Sequence, residues 1–386
     1  MSRKPIAMLQ DVVPTPFQLI FNAAAQLPDI INLGIGEPDL DAPPEVVEAI
    51  AKATKDGFTH YPPLNGFMDL KEAICEYWKE HHGYERAPNE VLVTAGCTQG
   101  LDIVLRAFAG PGDEVLITDP CFSSYESLIR YTGATPVMVP LRAEEEFMLN
   151  AQELEQHITP KSKILLINSP CNPTGAVYDR AAMEAIAKVV EKHDLLVISD
   201  EIYEALIFDQ EHVCFATLPG MKNRTFTLGG FSKTYAMTGL RLGYVMAAAE
   251  FFPALSILSA NMAMSVNSIT QRGSIAALRD CQYFVDDMAR IYQERAAWTV
   301  ECIHRIPGVS CVPPKGTFYL LMDISKTGMS SLDFSMGLLN DTGVATIAGS
   351  AFGPSADNFV RISYNGSRDT LEDAIGKIGK YVEKVI

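Results

Sequence analysis

The sequence has little positive charge and few features of an exported or metal-binding protein. Its 31 Lys and Arg are outnumbered by 47 Asp and Glu, which gives a formal net charge of −16. This negative field repels nucleic-acid phosphates and anionic membranes, so neither is an expected partner. The eight cysteines form no CxxC pair, which argues against zinc ribbons and thioredoxin-like sites, and we expect no metal ion. The N-terminus MSRKPIAMLQDVVP lacks the apolar run of a signal peptide, so we expect a cytoplasmic location.

Internal repeats and low-complexity segments are also lacking, and one apolar stretch requires a check for membrane insertion. Residues 245–264 are apolar over about one bilayer crossing, but they include Glu250, Pro253 and Asn261, which are costly in hydrocarbon. We interpret the stretch as a buried element of a soluble domain. With 386 residues, 48% of them hydrophobic, the chain is long enough for two or three domains around a large core.

Short apolar runs alternate with helical patterns between about residues 90 and 250. The runs are rich in Val and Ile, as strands buried on both faces are. The alternation predicts an α/β fold with a mainly parallel seven-stranded sheet sandwiched by helices such as 99–109 and 179–193. The seven predicted strands are 91–95, 114–119, 135–140, 163–169, 194–200, 224–229 and 242–247.

The C-terminal third has a different pattern, which predicts a smaller α+β domain. A long helix, two strands and an amphipathic closing helix are predicted at 284–306, 316–324, 359–365 and 371–385. The N-terminal segment, up to about Pro44, has no complete unit of its own and is expected to pack on this smaller domain. We therefore predict a large domain over 45–282 and a small domain formed by 1–44 and 283–386.

Polar side chains follow four of the predicted strands directly. Ligands of open parallel sheets bind beyond the carboxyl ends of the strands, and a purely structural sheet has no need of such a cluster. The sequence therefore predicts a site at this edge of the sheet. The residues concerned are Thr98, Asn172, Asp200 with Tyr203, and Lys233.

Lys233 is the central candidate of this group. Most lysines are exposed surface charges, but Lys233 follows a buried-type strand in GGFSKT, where small residues let the backbone approach a ligand closely. A Lys in such a pocket loses its proton readily and can form a Schiff base. A phosphate-loop interpretation fails, because GxxxxGK[ST] requires Gly before the Lys and this chain has Ser232.

Three further charged residues are candidates, and Asp200 and Arg361 each have a structural as well as a functional interpretation. Asp200 is either a cap for a following helix or a partner for a pyridinium nitrogen. Arg241, eight residues after Lys233, can supply charge for a phosphate held at the helix N-terminus that begins at Thr98. Arg361, in FVRISY, is either an exposed strand residue or a bidentate clamp for a carboxylate.

Five motifs occur in order along the chain and together resemble those of one enzyme family. LGIGEPD is followed by NSPCNPTG, SDEIYE, GGFSKTYAMTGLRLGY and VRISY. The series is similar to that of the class I/II aminotransferases of pyridoxal phosphate (PLP) fold type I, from about residue 30 to the C-terminal helix. The resemblance implies a PLP-dependent transaminase that moves an amino group from an amino acid to a 2-oxo acid, and a homodimer with shared active sites.

The resemblance also implies roles for individual residues. Lys233 would hold PLP as an imine, and Asp200 would pair with the pyridine nitrogen. Tyr61, in THYPPLNG, would reach the phosphate of the cofactor in the neighbouring subunit. The implied catalytic residues are Lys233, Asp200 and Tyr203. The implied cofactor-binding residues are Lys233, Asp200, Asn172, Tyr203, Phe122, Cys97, Thr98, Ser232, Arg241 and Tyr61. The implied substrate-binding residues are Arg361, Asn172 and Gly36.

The substrate side chain is predicted from a lack of cations. A dicarboxylic amino acid needs a second cation besides Arg361, and residues 242–271 contain no Lys or Arg. Tyr244, Met262 and Met264 suit an apolar side chain instead, or are simply core residues. The chain also resembles aromatic aminotransferases of archaeal and bacterial type. We predict an aromatic or neutral amino acid as donor and 2-oxoglutarate as acceptor, with aspartate as the alternative.

Competing functions share part of this pattern. A carbon–sulfur β-lyase or an aminocyclopropane carboxylate synthase has nearly the same motifs on the same fold. A PLP-binding DNA regulator would need a basic N-terminal helix-turn-helix, whereas only about 30 residues precede LGIGEPD. A binding module without catalysis would not require Lys233, Asp200 and Arg361 together.

Overall fold

A seven-stranded sheet forms the centre of the fold in the computed structural model, which describes residues 15–386. Each of the seven strands predicted for this sheet agrees with an observed strand to within two residues at both ends. Within the described residues, strands β1 to β13 are, in chain order, Ile31–Asn32, Val91–Thr94, Glu114–Asp119, Thr135–Pro140, Ser162–Asn168, Leu196–Asp200, Thr225–Gly230, Gly243–Met246, Ser310–Cys311, Tyr319–Asp323, Val344–Ala345, Ile347–Ala348 and Phe359–Ser363.

The strand order of the large sheet is β2-β8-β7-β6-β5-β3-β4. Strand β8 runs antiparallel to both of its neighbours, and all the other neighbouring pairs are parallel. The predicted mainly parallel sheet is therefore confirmed. Its central strands are buried on both faces, which explains why they appear in the sequence as continuous apolar runs.

Helices cover both faces of this sheet and surround the C-terminal strands. Several begin at an Asn, Asp or Ser whose side chain accepts a hydrogen bond from a first-turn N–H, as Asp179 does from Ala182. In residues 15–386, helices α1 to α12 are Pro16–Ala24, Pro44–Lys55, Met68–His82, Cys97–Phe108, Tyr125–Thr132, Ala151–Gln156, Arg180–Lys192, Phe252–Ala263, Ser268–Asp280, Gln282–His304, Ser331–Thr342 and Arg368–Val385.

A second, four-stranded sheet has the order β12-β13-β10-β9, and β10 and β13 are antiparallel. Residues of the N-terminal segment that the structure describes contact this part of the chain. Strand β1 pairs with β11, and Ile20 of α1 lies in one apolar cluster with Ile347 and Phe352. The segment MSRKPIAMLQDVVP, which lacks the apolar run of a signal peptide, lies outside the described residues. The domain boundaries at 44 and 282 stay predictions.

Residues 245–264, checked for membrane insertion, contain the end of β8 and helix α8. The helix buries Phe252 and Leu255, but Ile257, Met262 and Met264 are exposed, so the predicted burial is wrong for this end of the stretch. No helix within residues 15–386 has the length and apolar character that a membrane crossing requires.

Candidate functional site

A cavity of about 500 Å³ lies beyond the carboxyl ends of β5, β6 and β7, where β10 and β13 of the smaller sheet face the larger one. The cavity brings together eleven of the twelve predicted site residues. They are Gly36, Cys97, Thr98, Phe122, Asn172, Asp200, Tyr203, Ser232, Lys233, Arg241 and Arg361.

Lys233 lies in the segment that connects β7 to β8, and its side chain enters the cavity. Its Nζ donates a hydrogen bond to the carbonyl oxygen of Gly36. Burial lowers the pKa of Lys233 to about 8, Glu37 opposes this decrease, and the guanidinium groups of Arg361 and Arg241 add to it. The amine is therefore much closer to losing its proton at neutral pH than an ordinary lysine is.

Asp200 ends strand β6 and is buried at the cavity. Its Oδ2 accepts a 2.7 Å hydrogen bond from the hydroxyl of Tyr125, and its Oδ1 accepts one from the N–H of Ile202. Burial raises the pKa of Asp200 to about 6, and these hydrogen bonds oppose the rise. Residues 202–205 form a turn and not a helix, so the helix-cap interpretation of Asp200 is wrong.

The N-terminus of α4 and Arg241 converge on one side of the cavity. The helix begins at Cys97, one residue before the predicted start, and its cap residue Gly96 provides no side-chain hydrogen bond to the first turn. Gly96 has a φ of +80°, and a Cβ atom there would lie 2.8 Å from a terminal nitrogen of Arg241. First-turn N–H groups and a guanidinium in such proximity are able to bind an anion. Thr98 and Ser232 line the cavity beside them.

Arg361 is buried on β13, with only 2% of its surface exposed. It donates hydrogen bonds to Oδ1 of Asn172 at 3.0 Å and to the carbonyl oxygen of Gly34 at 2.7 Å. Its guanidinium lies 4.3 Å from the ring centre of Tyr319 and 4.9 Å from that of Phe352. Burial lowers its pKa, and no carboxylate of the described residues pairs with it. The exposed-strand interpretation is therefore wrong, and the side chain is placed to receive a carboxylate from outside the chain.

Aromatic groups complete the walls of the cavity. The hydroxyl of Tyr203 donates to that of Tyr319 at 3.2 Å. A Cβ atom at Gly36 would lie 2.6 Å from the Tyr319 hydroxyl, so glycine is needed for this close approach. Phe122 contacts the ring of Tyr125 edge-on, at 5.5 Å between ring centres, and its own ring lines the cavity.

Tyr61 is the predicted site residue that does not reach this cavity. Its side chain is 82% exposed and lies in a separate surface groove formed by residues 58–62 and 265–269. Met262 and Met264 are exposed, and Tyr244 is buried, where its hydroxyl accepts a hydrogen bond from Nε1 of Trp78. None of these last three lines the cavity, so the prediction that they meet the substrate side chain is wrong for this cavity.

Several lining residues were not predicted, although some had a signal in the sequence. Tyr125 follows the end of β3 in DPCFSSYE, which is a strand-end position of the kind used for the other candidates. Phe17 and Phe21 are four residues apart in α1, a helical spacing that places both rings on one face. Asn168 is the last residue of β5, so it had the same strand-end signal as Asp200. Tyr319 lies in a strand of the smaller sheet, where no local pattern distinguishes a cavity residue from a core residue.

Comparison with known proteins gives one consistent family. Residues 28–378 match the family model described as aminotransferase class I and II. The chain is 40% identical to an aspartate aminotransferase of Pyrococcus abyssi, over 97% of both chains. It is 37% identical to aromatic-amino-acid aminotransferase 2 of Thermococcus litoralis, again over 97% of both. The crystal structure of an aromatic aminotransferase from Pyrococcus horikoshii is 40% identical and has a TM-score of 0.90, with 95% of this chain and 99% of that chain covered.

The family model extends over the strands of both sheets and over all the residues of the cavity except Phe17 and Phe21. The chain therefore belongs to the class I and II aminotransferases, which are PLP-dependent transaminases of fold type I.

Proposed function

We propose that this transaminase uses an aromatic or other neutral amino acid as donor and 2-oxoglutarate as acceptor. The observation that carries the proposal is the group of apolar side chains that line the cavity. Phe17 and Phe21 stack with their ring centres 5.0 Å apart, and Ile35 and Leu101 line the same cavity. An aromatic side chain gains favourable contact with such rings.

The charges of the cavity support the same choice. Its cationic lining residues, among the described part of the chain, are Lys233, Arg241 and Arg361. We assign the first two to the cofactor and the third to the α-carboxylate of the substrate. A second carboxylate on the donor would then have no cation of its own. Aspartate is the second candidate donor, because a relative with 40% identity carries the name aspartate aminotransferase.

The residues at the cavity fit PLP. A buried carboxylate, Asp200, suits a protonated pyridine nitrogen, and the N-terminus of α4 with Arg241 suits a phosphate. Lys233 would hold the aldehyde carbon covalently, and Phe122 would lie against the ring. When bound, PLP supplies an electron sink that stabilises negative charge at the substrate α-carbon. Cys97, Thr98 and Ser232 would complete the phosphate contacts, and Asn172 and Tyr203 would bond the ring hydroxyl oxygen.

The residues of the chain have separate tasks in the reaction. Arg361 clamps the α-carboxylate with help from Asn172 and the backbone at Gly36, and this fixes the orientation of the Cα–H bond. Once the substrate amino group has displaced it from the cofactor, Nζ of Lys233 would take the proton from the α-carbon and later deliver it to the cofactor carbon, which a pKa of about 8 permits near neutral pH. Asp200 remains ionised and stabilises positive charge opposite it.

The assembly and location belong to the same proposal. Tyr61 is exposed and so are the apolar side chains of Ile257, Met262 and Met264. We propose that a second copy of the chain covers this surface, that the active sites are shared, and that Tyr61 contributes to the neighbouring site. Eight free cysteines suit the reducing cytoplasm. We retain a large domain over 45–282 and a small domain over 1–44 and 283–386.

The experiment is a half-reaction screen followed by steady-state kinetics. The PLP-loaded enzyme is mixed with each amino acid in turn, and the change in cofactor absorbance is recorded. We then compare kcat/KM for phenylalanine, tyrosine, alanine and aspartate with one acceptor. A preference for aspartate of more than about tenfold, about 1.4 kcal/mol in transition-state binding, would contradict the proposed donor class.

A further inference from the structure

A buried carboxylate at the end of a strand of the large sheet bonds to a segment of the smaller sheet. Asp119, the last residue of β3, is only 5% exposed. It accepts hydrogen bonds from the backbone N–H of Ser355 at 3.2 Å and from the Ser355 hydroxyl at 2.8 Å. Ser355 lies in the segment that leads into β13 of the smaller sheet. The bond therefore connects two parts of the chain that are 236 residues apart.

The local backbone is shaped to accept this carboxylate. Gly353 has a φ of +142°, a conformation that residues with a side chain rarely adopt, and a Cβ atom there would overlap Oδ1 of Asp119. A further hydrogen bond, from the N–H of Cys121 to the carbonyl oxygen of Phe352 at 2.8 Å, crosses between the same two segments. The contact between the two segments thus includes three hydrogen-bond donors, the N–H and hydroxyl of Ser355 and the N–H of Cys121, together with Gly353. We call this contact the Asp119–Ser355 junction.

Each side of the junction carries a group of the active site. On one side, Phe122 follows Asp119 by three residues and lines the cavity. On the other side, Phe352 lies against the guanidinium of Arg361 at 4.9 Å. The junction therefore determines how the segment bearing Phe122 lies relative to the ring that supports Arg361.

We propose that Asp119 is a positioning residue, which holds Phe122 and Arg361 at the separation that substrate binding requires. The inference rests on the proposed function, in which Phe122 lies against the cofactor and Arg361 clamps the substrate carboxylate. Without the junction, the segment that bears Phe122 and the segment that bears Phe352 move independently. Arg361 is then only part of the time in the position in which it binds the substrate carboxylate.

The test measures binding of an unreactive carboxylate, 3-phenylpropionate, to the PLP-loaded enzyme by calorimetry. Asp119→Ala is expected to raise its Kd about tenfold, because the junction loses its charged acceptor. Asp119→Asn, which keeps one acceptor oxygen, is expected to have an intermediate effect. The KM for the donor should rise in parallel with Kd, while kcat changes less than about threefold.

A matched control exists in the same region. Asp357 accepts hydrogen bonds from the hydroxyl of Ser331 at 2.7 Å and from its N–H at 3.2 Å, but both residues belong to the segments around the smaller sheet. Asp357→Ala removes hydrogen bonds of the same kind and leaves the hydrogen bonds of the junction itself in place. We expect it to change the Kd of 3-phenylpropionate less than about twofold.

Coupling to Arg361 distinguishes positioning from general loosening. In an Arg361→Lys background, Asp119→Ala should raise Kd by less than about threefold, because the clamp that the junction positions is already impaired. An equal effect in both backgrounds, or an effect of Asp119→Ala no larger than that of Asp357→Ala, would overturn the proposal.

If Arg361→Lys alone left Kd unchanged, the proposed role of Arg361 would fail, and the proposal about Asp119 with it. If Asp119→Ala does not fold, Ser355→Ala replaces it and is expected to raise the Kd of 3-phenylpropionate about threefold. Its effect is compared in the same way with that in the Arg361→Lys background and with that of Asp357→Ala.

Discussion

The hydroxyl of Tyr125 donates a 2.7 Å hydrogen bond to Oδ2 of Asp200 at the cavity. This bond stabilises the ionised carboxylate, whereas burial raises the pKa of Asp200 to about 6. Below that pH Asp200 becomes protonated and loses the charge that pairs with a pyridinium. We therefore expect the affinity of the apoprotein for PLP to fall as the pH decreases through about 6.

The Tyr125→Phe substitution should move this transition to higher pH, because a bond that lowers the pKa of Asp200 is removed. The measurement is the Kd of PLP by fluorescence titration between about pH 5 and about pH 8. The Asp200→Asn variant is the control, since it has no carboxyl group to titrate at this position. A Tyr125→Phe transition at the wild-type pH would contradict the prediction.

Lys233→Ala is expected to abolish multiple turnovers and the covalent pyridoxyl-protein that borohydride produces in the wild type. In the wild-type apoprotein, the rate of covalent PLP capture should increase with pH up to about 8 and then level, because the pKa of Lys233 is lowered to about 8. Mass spectrometry identifies the modified residue. A pyridoxyl adduct at wild-type yield in the Lys233→Ala protein would show that another lysine holds the cofactor.

Arg361→Lys is expected to lower kcat/KM for every amino acid by about 100-fold, because the bidentate contact with the α-carboxylate is lost. The effect should be similar for alanine and phenylalanine, since both present the same carboxylate. Circular dichroism checks that the variant is folded. A loss confined to one donor would indicate that Arg361 contacts the side chain of the substrate instead.

Phe21→Ala is expected to lower kcat/KM for phenylalanine about tenfold and for alanine less than about twofold, because only the larger side chain reaches the rings of α1. Leu19 lies on the same helix but does not line the cavity, so Leu19→Ala controls for damage to the helix. Equal losses for both donors, or an equal effect of Leu19→Ala, would remove Phe21 from substrate selection.

A shared active site predicts complementation between two defective variants. Tyr61→Ala should weaken PLP binding, because the phosphate of the neighbouring cofactor loses a hydrogen bond. When Tyr61→Ala and Lys233→Ala chains are mixed and allowed to exchange, each mixed dimer should contain one site with neither substitution. Activity should therefore rise well above that of either variant alone, and sedimentation should detect dimers. An active monomer would contradict both expectations.

The strands and the place of Lys233 and Asp200 at the cavity were predictable because their physical signals are local. Buried parallel strands are continuous apolar runs, and Lys233 and Asp200 directly follow or end such runs. Tyr319 could not be predicted in the same way, since its place depends on how β10 faces the larger sheet. The expectation for Met262 and Met264 failed for a related reason: composition indicates that a segment is apolar, but only packing decides which surface it contacts.

The Asp119–Ser355 contact was beyond prediction for the same physical reason. Each residue has an ordinary local context, a strand end for Asp119 and a loop for Ser355, and 236 residues separate them. Gly353 is informative only once its φ of +142° is known. Long-range contacts of this kind depend on the relative placement of two sheets, which no periodicity in the sequence describes.

The guanidinium of Arg361 is buried, and among the described residues it donates hydrogen bonds only to neutral acceptors. The thermal stability of the protein therefore depends on which carboxylates are present in the solution. A carboxylate that binds only the folded chain adds RT ln(1 + [L]/Kd), which is about 2.7 kcal/mol at a concentration 100 times Kd. Melting temperatures recorded across a panel of carboxylic acids would therefore rank those that fit the cavity. Such a ranking requires no turnover, so the natural donor and acceptor can be sought even in a preparation that has no catalytic activity.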